Sequence, residues 1–171
     1  MDFTSVVSAR YSCKSYATDR VISDEQLQAI LEAGRLAPTA KNLQEQHIYV
    51  VQSPDKLALI DEYTPCRYGA TTVLVVAFDR ENVYTYPEGD RRSGIEDAAI
   101  VATHMMLAAT NAGVDSCWLN CVRINALHEA LSLPDNEEIL MLLDLGFAAP
   151  DAAPLANHFS RKPISETVTR L

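Results

Sequence analysis

Thr71-Thr72-Val73-Leu74-Val75-Val76-Ala77-Phe78 is apolar from Val73 onward and rich in β-branched residues. A strand of that kind offers no polar face to water, so it predicts a central strand covered on both sides. Upstream, His47-Ile48-Tyr49-Val50-Val51-Gln52 reads as a second strand. Ser53-Pro54 then supplies a cap and first position for a helix running to about Tyr63. Downstream, residues 95–112 are helical in pattern and apolar nearly all round, so this helix should be enclosed by protein, with Gly113 to end it. Residues 116–122 predict another strand, Asn125 to Leu133 a short helix stopped by Pro134, and 139–147 a last core strand.

Nearer the N-terminus, residues 23–34 form an amphipathic pattern with Leu27, Ile30 and Leu31 as the buried stripe. Ser23 and Gln26 make a capping box, Gly34 lies near the end and Pro38 prevents simple continuation. Residues 79–94 are polar, carry Tyr84 and Tyr86, and form a loop long enough to act as a lid or binding wall. Strands and helices thus interleave around a layered α/β core, read as one domain over residues 1–171.

The chain has 171 residues, 48% of them apolar and 22% charged, with a formal net charge of −9. This composition excludes disorder, and the acidic balance argues against nucleic acid as the main partner. No run of about twenty apolar residues predicts a membrane span, and the first residues lack a secretory pattern, so a cytoplasmic protein is expected. Charge is unevenly placed. Residues 1–20 and 158–171 hold six basic residues and three acidic ones, leaving −12 on the remainder. Two basic ends on an acidic body can meet around one small anion.

Four cysteines, Cys13, Cys66, Cys117 and Cys121, form no C-x-x-C. Cys117 and Cys121 are four apart in a predicted strand and would face one side of the sheet. Without a nearby pair of histidines they make a poor zinc site, and buried free thiols are expected. His128-Glu129 begins an H-E-x-x pattern, but Ser132 stands at the second histidine position. No metal site is expected.

Arg10, Ser12 and Lys14 alternate within Arg10-Tyr11-Ser12-Cys13-Lys14-Ser15-Tyr16, so an extended segment points all three the same way. Two cations and a hydroxyl on one side suit a phosphate. The loop Ala37-Pro38-Thr39-Ala40-Lys41-Asn42-Leu43-Gln44 offers the amides of Asn42 and Gln44, which can read the edge of a heterocycle; Ser160-Arg161-Lys162-Pro163 is again basic. There is no G-x-G-x-x-G and no G-x-x-x-x-G-K-[ST], and six glycines build no glycine-rich cradle. Any phosphate must be held by side chains.

In their order, these segments resemble the nitroreductase family of FMN-dependent oxidoreductases. The matching features are R-x-S-x-[RK]-x-[FY] (Arg10 to Tyr16), A-P-[ST]-x-x-N-x-Q (Ala37 to Gln44) and an Asp before an alanine-rich helix ending A-x-x-x-G (Asp97 to Gly113). C-W-[IL] (Cys117 to Leu119), L-G-[FY] (Leu145 to Phe147) and R-K-P (Arg161 to Pro163) follow. The resemblance implies an α+β, three-layer fold with a central mixed, mainly antiparallel sheet flanked by helices, in an intertwined homodimer with FMN at the interface. It places Arg10, Tyr11, Ser12, Lys14, Arg161 and Lys162 around the FMN phosphate. Pro38, Thr39, Ala40, Asn42 and Gln44 would come from the other subunit, Leu119 and Asn120 would approach flavin N5, and Arg67 would stand near N1 and O2. The flavin carries the chemistry, so no catalytic side chain is named.

Two departures stand out. Glu45 and Gln46 replace the usual Pro and Trp, and Lys41 stands where a small polar residue is commoner and would offset Glu45. The implied activity is ping-pong hydride transfer from NAD(P)H to a nitroaromatic, quinone or similar electron-poor acceptor. The alternatives are a flavin-binding dimer that serves as carrier or interaction module without turnover, and another flavin reaction, such as dehalogenation or flavin fragmentation.

Overall fold

A computed structural model describes residues 1–171. Its elements are α1 (Phe3–Ala9), α2 (Asp24–Arg35), β1 (Gln46–Val51), α3 (Pro54–Asp61), β2 (Thr72–Asp79), α4 (Gly94–Asn111), β3 (Asp115–Leu119), α5 (Ile124–Leu131) and β4 (Glu137–Gly146). The four strands form one antiparallel sheet in the order β1-β2-β4-β3. The sheet is therefore antiparallel rather than mixed; the one parallel pairing, Ser12 to Ser116, is an isolated bridge outside the strands.

Alternation along β2 and β4 makes two cores. Leu74, Val76, Phe78, Met141, Leu143 and Leu145 face α2 and α4, while Val73, Val75, Ala77, Ile139 and Leu142 face α3 and α5. Val73 to Ala77 are wholly buried, as a strand with no polar face requires. Three layers result, helices on each side of the sheet.

Helix α2 begins with the capping box, Ser23 Oγ accepting from Gln26 N–H at 3.2 Å and Gln26 Oε1 from Ser23 N–H at 3.0 Å. Gly34 lies near the end of α2, as read, and also lets that helix approach α4, since a Cβ there would lie 2.8 Å from Met105. Gly113 (φ 72°) does end α4. That helix is only partly enclosed: Ile95 and Ile100 face outward. Helix α1, with Asp2 capping Ser5, has no counterpart in the sequence reading.

The loop before β1 is anchored on a pair of acids. Asp97, buried in the first turn of α4, accepts a hydrogen bond from the Ala40 N–H at 3.0 Å. Glu45 is 4% exposed and accepts from Ser93 Oγ, while its Oε2 and the Asp97 Oδ2 are buried without a partner of their own. Lys41 does not offset this charge; its Nζ lies 4.6 Å above the Tyr84 ring. Burial first, then the neighbouring Asp97 carboxyl, push the Glu45 carboxyl up to about 7.

Gly94 sits so close to β2 that a Cβ would meet the Phe78 ring at 2.3 Å. Gly94→Ala should therefore cost about 1–3 kcal/mol in chemical denaturation, the range for overpacking. For Glu45, the folded chain holds a proton between pH 4.5 and about 7 that the unfolded chain releases. Stability should therefore fall as pH rises through that window. In Glu45→Gln the Tm difference between pH 5 and pH 8 should shrink; identical Tm–pH curves for both proteins would remove the proton from this pair.

Candidate functional site

The segment after α1 is held as part of the sheet edge. Cys13 N–H donates to the Ser116 carbonyl (3.0 Å), Tyr16 N–H to Tyr68 (3.1 Å), Ala17 N–H to Phe147 (2.8 Å), and Ser15 O accepts from Ala149 N–H (3.0 Å). Cys13 and Tyr16 project into a small core with Ala70. Ser12 is half-exposed and Lys14 exposed, but strict alternation does not run through the segment, since Tyr16 is buried with Cys13. Arg10 is half-buried at the end of α1.

The C-terminal stretch folds back onto this segment. The His158 ring meets Tyr11 edge-on at 6.4 Å between centroids. Arg161 and Lys162 follow, both exposed, with the Arg161 guanidinium donating to the His158 and Ser160 carbonyls. One contact, between Tyr11 and His158, thus joins the N-terminal segment to the C-terminal stretch. None of Arg10, Lys14, Arg161 and Lys162 has a carboxylate partner; the ion pairs are Arg35–Glu32, His47–Glu137, Arg67–Asp61 and Arg91–Glu96.

Arg67 is differently placed. Its guanidinium donates to both Asp61 oxygens (2.7 and 2.5 Å) and to the Ala70 carbonyl (2.6 Å), so it organises the loop before β2. The cation facing that loop from outside is Lys14, 5.7 Å from the Tyr68 ring centroid. Beneath lies Asp144 of β4, wholly buried, with neither oxygen hydrogen-bonded. Desolvation pushes its carboxyl up to about 9 against the pull of Arg67, so it is neutral at pH 7.

The 37–44 loop has a single 3-10 turn at Ala40–Asn42 and three non-glycine residues in the left-handed region: Lys41 (φ 53°), Asn42 (φ 56°) and Gln44 (φ 54°). Such backbone is costly and marks a loop shaped for a task. Thr39 Oγ1 accepts from Gln44 N–H (3.0 Å), and Gln44 Nε2 donates to the Asn42 carbonyl (3.3 Å). Pro38, Asn42 and Gln44 are exposed, with Thr39 and Ala40 half-buried.

Within one chain this loop is remote from the cations. It leads into Gln46, paired with Phe78 at the end of β2, whereas Ser12 adjoins Ser116, whose partner Leu145 pairs with Thr72 at the start of β2. Six residues of extended strand separate these levels by about 20 Å. Leu119 is buried at the end of β3, and the exposed Asn120 accepts from Trp118 Nε1 at 2.9 Å. Arg10 and Asn120 border different cavities.

The cysteines divide in two. Cys13 and Cys117 are buried, and desolvation raises both thiols, Cys117 to about 11. Cys121 falls beyond the end of β3, so it does not share a sheet face with Cys117 as the four-residue spacing suggested. It is exposed and stands beside Cys66, a proximity that sequence spacing does not announce.

Comparison with known proteins agrees with this architecture. Residues 7–65 and 62–147 match the profile described as the nitroreductase family. A protein of Archaeoglobus fulgidus named as an NADH dehydrogenase/NAD(P)H nitroreductase is 31% identical over 149 residues, 83% of each chain. The crystal structure of a nitroreductase family protein from Clostridium difficile 630 superimposes with a TM-score of 0.90 at 32% identity, covering 99% of this chain and 98% of that one. Another structure, described as a nitroreductase in complex with FMN from Desulfovibrio desulfuricans, gives 0.82 at 26% identity, covering 100% and 97%. With its three-layer sheet, pinned basic segment and strained loop, the chain belongs to the nitroreductase family.

Proposed function

We propose that the chain is an FMN-dependent NAD(P)H oxidoreductase that works as a homodimer. The observation that carries this reading is that Arg10, Lys14, Arg161 and Lys162 have no carboxylate partner on a chain of net charge −9, on two segments joined by the Tyr11–His158 contact. On an acidic protein, cations left without carboxylate partners are suited to receive an anion. Ser12, half-exposed in the pinned segment, adds a hydroxyl donor. These residues would hold the FMN phosphate, with Tyr11 fixing the C-terminal stretch through His158.

The 20 Å gap along β2 supports the dimer. Pro38, Thr39, Ala40, Asn42 and Gln44 cannot line the same cofactor as Arg10 and Lys14 from a single chain, so a second copy brings its own loop to the ring. The exposed apolar residues are placed for such a partner. Phe3 and Val7 of α1, Ile95 and Ile100 of α4, and Leu155, Phe159, Ile164 and Val168 of the tail all face outward. Residues 159–171 are exposed throughout, as expected of an arm that packs on another subunit.

When bound, FMN supplies hydride acceptance from NAD(P)H and its return to nitroaromatic, quinone or similar electron-poor acceptors, one after the other in the same space. The protein's part is to hold and orient. Leu119 and Asn120 present backbone at the end of β3, and the acid pair under Ala40 keeps the loop backbone in place. Lys14, rather than Arg67, is the cation free to stabilise negative charge near the Tyr68 loop.

Titration of the purified protein with FMN tests the reading. Stoichiometric uptake is expected, with yellow colour that bleaches on adding NADH or NADPH and returns with a quinone or nitroaromatic. Colour without bleaching by either donor would favour the carrier, and no uptake would discard both flavin readings. Arg10→Ala should weaken FMN binding by roughly 1.5–3 kcal/mol, the value of a charge-assisted hydrogen bond. An unchanged Kd would remove Arg10 from the phosphate site. In solution the particle should have twice the chain mass, and a monomer that still binds FMN would overturn the two-chain site.

A further inference from the structure

Thr64, buried between two loops, joins both exposed-side cysteines through one hydroxyl. Its Oγ1 donates to the Cys121 carbonyl at 2.7 Å and accepts from the Cys66 N–H at 3.1 Å. The Cys66 nitrogen and the Cys121 carbonyl oxygen are therefore no farther apart than these two hydrogen bonds laid end to end, which sets the two cysteines side by side. Cys121 is exposed at the rim of a cleft with Thr64, Pro65 and Asn120. Cys66 is half-buried, and the side chains of Tyr68, Cys121 and Thr64 face its sulfur. These hydrogen bonds, and after them the charge of Lys14, hold the Cys66 thiol below its ordinary value. Two thiols in contact, one favoured as thiolate and the other open to solvent, have the arrangement of an attacking and a resolving cysteine. Cys13 and Cys117, buried with raised thiols, do not.

We propose that Cys66 and Cys121 form a reversible dithiol–disulfide couple oxidised by hydrogen peroxide. The Cys66 thiolate attacks one peroxide oxygen, the S–O bond forming as the O–O bond breaks, and hydroxide leaves to be protonated by solvent. The Cys121 sulfur then attacks the Cys66 sulfenic acid; the S–S bond forms, the S–O bond breaks, and the Cys121 proton leaves with the hydroxyl as water. Two thiols and one peroxide thus give one disulfide and two waters. An external thiol reverses the reaction by exchange. The bond ties the loop before Arg67 to the loop after β3, beside Asn120 and Lys14. Only that functional consequence rests on the cofactor reading; the thiol chemistry is independent of it.

The full-length protein, reduced and desalted, is exposed to hydrogen peroxide, alkylated, and read by intact mass and peptide mapping, with and without added FMN. The expected result is a loss of about 2 Da, an intramolecular link between the Cys66 peptide and Cys121, and recovery of both thiols with dithiothreitol. Cys13 and Cys117 should stay reduced and be alkylated only after denaturation. Cys121→Ser should lose the link and leave Cys66 as sulfenic or higher acid, and Cys66→Ser should slow peroxide consumption by about tenfold or more. Full alkylation of both thiols after peroxide, a link that persists in Cys121→Ser, or one found only between two chains would each overturn the proposal. Because mass reports the link whether or not FMN binds, a failure here is distinct from a failure of the proposed function.

Discussion

Burial of both faces of the β2–β4 pair is the constraint from which the rest of the molecule follows. Val73 to Ala77 and Met141 to Leu143 have no exposure, and each strand sends alternate side chains into separate cores. A sheet whose centre is apolar on both sides must be covered twice, so α2 with α4 and α3 with α5 become its two coats. That sandwich fixes the termini of the strands in space, and the segment 12–17, the loop 37–44 and Leu119–Asn120 all hang from those termini. The pinned segment 12–17 sits where β3 starts and β4 ends, the loop 37–44 where β1 starts and β2 ends.

Electrostatics then decides what the ends of the sheet are for. At one end cations stand unpaired. At the other, Glu45 and Asp97 are buried under a loop whose backbone is left-handed at three non-glycine positions, and burial raises the Glu45 carboxyl. Replacing the family's Pro by Glu45 does not add a negative charge to that loop at low pH; it exchanges a rigid ring for a buried carboxyl that accepts from Ser93. Asp144 shows the same economy, since a carboxyl without partners inside a core is tolerated by remaining neutral. Neither acid functions as an ordinary surface carboxylate.

Much of this was legible beforehand. All four strands, α2 with its capping box, and α3, α4 and α5 were found within a few residues of their bounds, because hydrophobic periodicity and cap chemistry are local. Misreadings came where partners distant in the chain decide. Lys41 lies over Tyr84 instead of against Glu45, and the local pattern did not announce that Gly34, near the end of α2, closely approaches Met105 or that Asp61 holds Arg67. Helix α1 escaped notice because most of its apolar residues, Phe3 and Val7 among them, face outward and leave no buried stripe.

The amino-acid order by itself determined which segments are strands and helices, which helix is too apolar to stand in water, and that basic chain ends flank an acidic body. Those properties depend on neighbours a few residues away and on composition. Only the tertiary structure decided which charges remain unpaired, which acids meet, and that Cys121 lies against Cys66 and not on the face of Cys117. Such contacts join residues tens of positions apart, and burial and distance, which set their energies, exist only once the sheet has closed.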